Sequence, residues 1–167
     1  MKLYHGSNIQ IDSINLAMCR PYKDFGTGFY LTDMKEQAEK MAVRVSKIYG
    51  GTPILNVFDI QDDFKLLPDI RIKDFGEQTT EDWAKFVMNN RNRAFVDIKD
   101  ALCNRDNKYD IVIGSVADDN MALLFRQYEN EIIDFQTLLN GMIYKKTSSQ
   151  YSFHTEKSIK LLRKVNS

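Results

Sequence analysis

Histidine, cysteine, proline and glycine are scarce in this chain of 167 residues, which holds two, two, three and eight of them. Each shortage removes a class of function. His5, His154, Cys19 and Cys103 are too few and too scattered for a zinc site of recognisable spacing, so no metal is expected. The two thiols form neither a C-x-x-C pair nor the dense framework of a secreted scaffold, and both are read as reduced and structural. Excess charge is also missing. Lysine plus arginine and aspartate plus glutamate each number 23, which argues against non-specific binding to nucleic acid or an anionic membrane. No run of about eighteen apolar residues occurs, and MKLYHGSNIQ lacks the apolar stretch of a secretory signal, so a cytoplasmic protein without a membrane span is expected.

What remains is enough for one domain over residues 1–167 that buries its own core. A short strand is expected from Lys2 to His5, ending in the turn Gly6-Ser7-Asn8. Ala38, Met41, Ala42, Val45 and Ile48 recur at three and four, which puts an apolar stripe on a helix from Met34 to about Ile48. Gly50 and Gly51 end that helix. A buried strand follows from Ile54 to Ile60, then a helix opened by Thr79 with Asp82 and closed by Arg91 and Arg93. Asp110 to Val116 is the most apolar strand, with Asp118 capping the next helix. Two short helices, Ala122 to Tyr128 and Ile132 to Leu139, end at Asn140-Gly141. Gln150 to His154 alternates as a strand, Thr155 caps a last helix, and Arg163 to Val165 adds an edge strand. The elements alternate without a regular βαβ period, so the fold class is α+β. The tetrapeptide KDFG at 23–26 and 73–76 has unrelated surroundings and is not a repeat.

The stretch KDFGTGFYLTD, Lys23 to Asp33, is the centre of the reading. Gly26 and Gly28 permit close approach of a ligand or of another backbone, and Gly26 and Gly28 tolerate positive φ. Phe29, Tyr30 and Leu31 continue as a strand, and Asp33 with Glu36 forms a capping box for the next helix. The competing reading is a glycine loop before an ordinary core strand.

LYHGS, FGTGFYLTDM and a late strand opening at Gln150 together resemble the ADP-ribosyltransferase superfamily, in the branch of the poly(ADP-ribose) polymerases and diphtheria toxin. The whole chain, with YDIVIGSVADDN and QYSFHT, is similar to an uncharacterised bacterial family of that clan. The resemblance implies a split β-sheet core with surrounding helices and NAD as substrate. By position it implies that His5 bonds the adenosine-side ribose, that the Gly6 backbone grips the nicotinamide amide and that Tyr30 stacks on the nicotinamide ring, with Ser7 and Gly28 as further NAD contacts. Arg20 and Lys23 are placed to meet the pyrophosphate. The alternative for His5 is a strand-end histidine bonded to backbone.

Two positions depart from that branch's pattern. Met41 stands where a second aromatic would complete a sandwich around nicotinamide; a thioether contacts a ring less well, and a core role is equally open. Gln150 stands where glutamate is usual. Losing that carboxylate beside a developing oxocarbenium ion costs on the order of 3 kcal/mol, about a hundredfold in rate. The resemblance therefore implies transfer of a single ADP-ribose to a macromolecular acceptor, protein or nucleic acid, by a toxin-like enzyme in a toxin–antitoxin or phage-defence setting, with an antitoxin-like protein as candidate partner. NAD hydrolysis and a non-catalytic NAD- or ADP-ribose-binding or protein-interaction module stay open. Lys145 and Lys146, in the loop before Gln150, are candidates to read the acceptor. Ser115, Asp118 and Asp119 are candidates to face the cleft.

Overall fold

In a computed structural model that describes residues 1–142 and 148–165, a mixed sheet of seven strands carries five helices. The strands are β1 (Lys2–Ser7), β2 (Phe29–Thr32), β3 (Ile54–Asp59), β4 (Ile72–Asp74), β5 (Ile111–Ser115), β6 (Ser149–Phe153) and β7 (Arg163–Lys164). Their order is β4-β5-β6-β2-β1-β3-β7, and only β4 and β5 run parallel. The helices are α1 (Lys35–Tyr49), α2 (Glu81–Arg91), α3 (Asp119–Glu129), α4 (Phe135–Met142) and α5 (Glu156–Ile159). The fold class is α+β. No helix among the described residues is long and apolar enough to cross a membrane.

Strand alternation sorts the core into two layers. Leu3, Phe29, Leu31, Ile111, Ile113, Tyr151 and Phe153 pack on one face with Phe58 and Phe64. On the other face, Val112 and the half-buried Tyr30 meet Trp83, Phe86 and Val87 of α2, Met121 and Phe125 of α3, and Leu138 of α4. Trp83 donates its indole N–H to the Ser115 carbonyl at 3.0 Å, which ties α2 to the end of β5.

The join between β1 and β2 sets up the site. β1 pairs with β3 along its whole length, from Lys2↔Asp59 to Ser7↔Ile54, but with β2 only at Tyr4↔Thr32. Met1 and Ile60 exchange both backbone hydrogen bonds just before this ladder. By antiparallel alternation, His5 therefore turns its backbone groups to β3, and Gly6 turns its own toward β2. The strands part at that point. α1 lies across Gly6 on the sheet face, because a Cβ there would stand 1.9 Å from the Ala38 carbonyl oxygen and 2.6 Å from the Ala42 nitrogen.

Several expected local features differ. Asp33 does not cap α1: the N-cap is Met34, with no side-chain cap, and the Met34 N–H donates to Thr32 Oγ1 at 3.1 Å. Thr80, one residue after Thr79, caps α2 by accepting from the Trp83 N–H. α4 runs through Gly141 instead of ending there. Gly50 at φ 80° does close α1. Asp118 and Thr155 cap α3 and α5 as read, and Cys19 and Cys103 are free thiols.

Candidate functional site

β6, β2 and β1 are consecutive in the sheet, and they carry Gln150, Tyr30 and His5. Thr32 stands opposite Gln150 and Ser152 opposite Tyr30, so Tyr30 and Gln150 point to the same face. His5 points to the other. Its ring lies 4.6 Å from that of Phe29, and its Nδ1 meets the Tyr30 carbonyl oxygen at 2.7 Å. The imidazole is therefore bonded across the join to the main chain of the residue that carries the phenol.

That bond fixes the histidine's chemistry. A carbonyl only accepts, so Nδ1 carries the proton, and in the neutral ring Nε2 is an acceptor. Burial lowers the His5 pKa, the Tyr30 carbonyl opposes that shift, and the positive charges of Lys164 and Lys23 add to it. A neutral imidazole whose Nε2 has no hydrogen-bond partner among the described residues suits a sugar hydroxyl. Tyr30 is held more tightly: its hydroxyl donates to the Gly26 carbonyl at 2.7 Å and accepts from the Phe25 N–H at 3.0 Å. Burial, with the charge of Asp24, pushes this phenol well above its ordinary pKa. The hydroxyl closes the glycine loop onto its own strand, where Gly26 sits at φ 94°.

Gln150 is buried in a polar network that links three elements. Its Nε2 donates to Asp24 Oδ2 at 2.9 Å and to the Ser115 carbonyl at 3.3 Å. Asp24 Oδ1 pairs with Arg91 Nε at 2.9 Å, and Oδ2 also accepts from the Ala117 N–H at 3.3 Å. Arg91 reaches the same ion pair from a cavity of about 400 Å³ between α2 and α3, lined also by Asp119, Phe125, Arg126 and Glu129.

The remaining candidates divide. Ser7 is buried, and its hydroxyl accepts from the Ile9 N–H at 3.4 Å. Arg20 donates to the Tyr49 hydroxyl at 2.7 Å with its guanidinium 5.0 Å from that ring's centre, so it is engaged with the end of α1. Lys23 is exposed. Met41 is 45 % exposed on α1, which sets aside its core role, while Ala38 and Ala42 face β1. Asp118 caps α3, Asp119 lines the cavity, and the Ser115 hydroxyl donates to the Glu77 carbonyl at 2.9 Å. Lys145 and Lys146 lie outside the described residues.

Gly28 serves a neighbour that the sequence reading passed over. A Cβ on Gly28 would fall 2.6 Å from His154 Nδ1 and 2.8 Å from the Phe153 carbonyl oxygen. His154 is 2 % exposed; its Nδ1 contacts the Thr27 carbonyl at 2.8 Å and its Nε2 the Ser152 hydroxyl at 2.8 Å, and its ring meets Tyr30 edge-on at 6.2 Å. Burial lowers its pKa to about 4, against the opposing pull of the Thr27 carbonyl and Asp110. The folded state therefore binds this proton less readily than the unfolded chain, whose histidine titrates near 6.5. Stability is fully present above that value and falls as pH drops through about 4, by on the order of 3 kcal/mol. His154→Gln is expected to flatten this limb in urea melts taken at successive pH values. An unchanged slope would contradict the assignment.

A family model described as a protein of unknown function (DUF3990) matches residues 1–164. The chain belongs to the DUF3990 family. No curated protein and no solved structure matches it significantly. For this DUF3990 chain, sequence reasoning missed Asp24, Arg91 and His154. A weak signal existed for the first: position 150 lacks a carboxylate, and Asp24, which heads the glycine loop, has one. Arg91 was legible only as a helix-end cation, since its reach toward residue 24 depends on tertiary packing.

Proposed function

We propose that this DUF3990 chain is an NAD-consuming mono-ADP-ribosyltransferase, toxin-like, that passes one ADP-ribose to a macromolecular acceptor and releases nicotinamide. One observation carries the reading. The strands bearing the three motif residues are neighbours, and β1 and β2 share a single register pair, so the Gly6 backbone faces the place where they diverge. A carboxamide has one donor and one acceptor edge, which a strand edge at glycine can match without side-chain interference. The resemblance of LYHGS and FGTGFYLTDM to the superfamily's first two motifs supports the same assignment.

In this reading NAD lies along the β1–β2 join. The Gly6 backbone holds the nicotinamide amide, Tyr30 supports the ring and positions the loop of Gly26 and Gly28, and His5 Nε2 accepts from an adenosine-side ribose hydroxyl. The bond between the ribose C1′ and the nicotinamide nitrogen breaks, and nicotinamide leaves with the electron pair. The ribose gains oxocarbenium character as the acceptor's nucleophile closes on C1′ and gives up its proton to water. Gln150 contributes an amide oxygen to the ribose 2′-hydroxyl, with less electrostatic stabilisation than a carboxylate. Ser7, Arg20, Lys23 and Met41 border this path as candidate NAD contacts. Adopting Arg20 requires its release from Tyr49.

A second reading is a non-catalytic module, favoured by Gln150 and by the Tyr30 hydroxyl, both of whose hydrogen-bonding sides are engaged within the protein. Pure protein incubated with NAD labelled in the adenylate half and a bacterial extract separates the two. Label on a macromolecule with stoichiometric nicotinamide is expected, reduced at least about tenfold in His5→Ala and Gln150→Ala variants that stay folded. Nicotinamide without labelled macromolecule makes the protein an NAD hydrolase. Binding of NAD without nicotinamide release establishes the non-catalytic module.

A further inference from the structure

Deepening the NAD reading, on which it rests, we propose that Asp24 is a positioning residue: held by Arg91, it clamps the Gln150 amide so that Oε1 is presented as a polarised acceptor where a glutamate would otherwise stand. The geometry leaves the amide no second orientation. Its two neighbours, Asp24 Oδ2 at 2.9 Å and the Ser115 carbonyl at 3.3 Å, are both acceptors, so both must face the NH2 group. Both amide hydrogens are thereby used. Oε1 has no hydrogen-bond partner among the described residues.

The clamp is itself fixed on three sides. Arg91 of α2 holds Oδ1 at 2.9 Å, the Ala117 N–H ahead of α3 reaches Oδ2 at 3.3 Å, and the Ser115 carbonyl is anchored by the Trp83 indole at 3.0 Å. A negative charge on the donor side of an amide draws its hydrogens and drives electron density toward its oxygen. Gln150 therefore recovers part of what glutamate would supply, with the full charge one hydrogen bond further away. The same arrangement makes glutamate a poor substitute: at position 150 it would set a carboxylate against Asp24 and the Ser115 carbonyl, and two carboxylates at that separation share a proton. The charged and titratable groups around the pair are Arg91 from α2, Tyr30 from β2 with Cys19 near it, and Glu129 from α3 acting through Arg91.

The test combines turnover with a readout that needs no NAD. In Asp24→Asn, nicotinamide release is expected to lose about tenfold or more in kcat while the NAD Kd moves less than about twofold, the signature of lost orientation and charge with binding kept. Gln150→Glu is expected to acquire a pH-dependent step in kcat near neutrality, absent from the native protein and removed in Asp24→Asn/Gln150→Glu. Side-chain amide exchange measured by NMR on the native protein is expected to show both Gln150 Nε2 protons protected, and exposed in Asp24→Asn. Native kcat in a folded Asp24→Asn variant, or a Gln150→Glu profile unmoved by the second substitution, would overturn the proposal. If the native protein never releases nicotinamide, the enzymatic reading fails while amide protection still decides the clamp: protected protons uphold it, and freely exchanging ones end it.

Discussion

Replacing Gly6 with alanine is expected to destabilise the protein by more than about 3 kcal/mol, a large part of a typical domain's whole stability. The new Cβ would sit 1.9 Å from the Ala38 carbonyl oxygen and 2.6 Å from the Ala42 nitrogen, and both are backbone atoms of α1 that no rotamer change can move aside. α1 must lift off β1. Because Gly6 also turns its backbone groups toward β2, the variant that loosens the helix disturbs the candidate nicotinamide site as well. Thermal and urea melts check the first effect; a melting midpoint within about 2 °C of the native value would contradict the close approach. Serine at the same position is expected to fare no better, since the obstruction begins at Cβ.

Asp110→Ala is the second large effect, expected at about 2 kcal/mol, because the Arg71 N–H and the Thr155 hydroxyl lose their acceptor while the half-exposed Arg71 and Lys157 side chains stay solvated. The carboxylate is 0 % exposed and gathers Arg71 Nε at 3.1 Å, Lys157 Nζ at 3.0 Å, the Arg71 backbone N–H at 2.8 Å and the Thr155 hydroxyl at 2.8 Å. It joins the approach to β4, the start of β5 and the cap of α5 at one point, and its own carbonyl receives the His154 N–H at 2.9 Å. Removing it leaves two cations without their shared counter-charge. Burial alone would raise the carboxyl, but the hydrogen bonds from Arg71, Thr155 and Lys157 outweigh that and hold it at about 2. A carboxyl depressed in the folded state contributes stability above its unfolded pKa near 3.8 and loses it as pH falls through about 2. Acid unfolding should thus show the His154 limb at mildly acidic pH and the Asp110 limb below it. Asp110→Asn is expected to remove the lower limb and leave the upper one, as read by urea midpoints across the acid range.

The same packing explains which parts of the fold were legible in the sequence. β5 could be read from IVIGS because five consecutive buried positions leave no other account of so apolar a run. α1 could be read from its period, but the period misassigned its inner face: Met41 and Ile48 are 45 % and 60 % exposed. Approach over a bare glycine admits only small side chains, so Ala38 and Ala42 took the seam and the larger residues turned out. β4 was illegible because Ile72-Lys73-Asp74 carries one apolar residue and becomes a strand only by pairing with β5. Gly141 read as a helix stop, yet a Cβ there would lie 2.8 Å from Leu124 Cδ1, so the glycine brings α4 close to α3. The Asp33 box failed because the N-cap position falls one residue later, on Met34, and the Asp33 carboxylate instead accepts from the Tyr151 hydroxyl at 3.5 Å.

The site was legible to a different degree. His5, Tyr30 and Gln150 could be chosen by motif, and the sheet puts their strands side by side, but their partners could not be chosen. Asp24 lies 126 positions from Gln150, and Arg91 reaches it from a third element. Nothing local marks such a triad. The two glycines were read as room for a ligand, and the structure divides that role: Gly28 makes room for His154 and β6, while Gly26 supplies the positive φ that lets the Tyr30 hydroxyl close the loop.

The most direct test of the central claim is an NMR titration of the isotopically labelled protein with a non-hydrolysable NAD analogue, read at the backbone amide of Gly6. Saturable shifts are expected at Gly6, at the His5 ring and at the Gln150 side-chain amide, all with one dissociation constant. Shifts confined to the α2–α3 cavity, or no saturable change at Gly6, would contradict that claim.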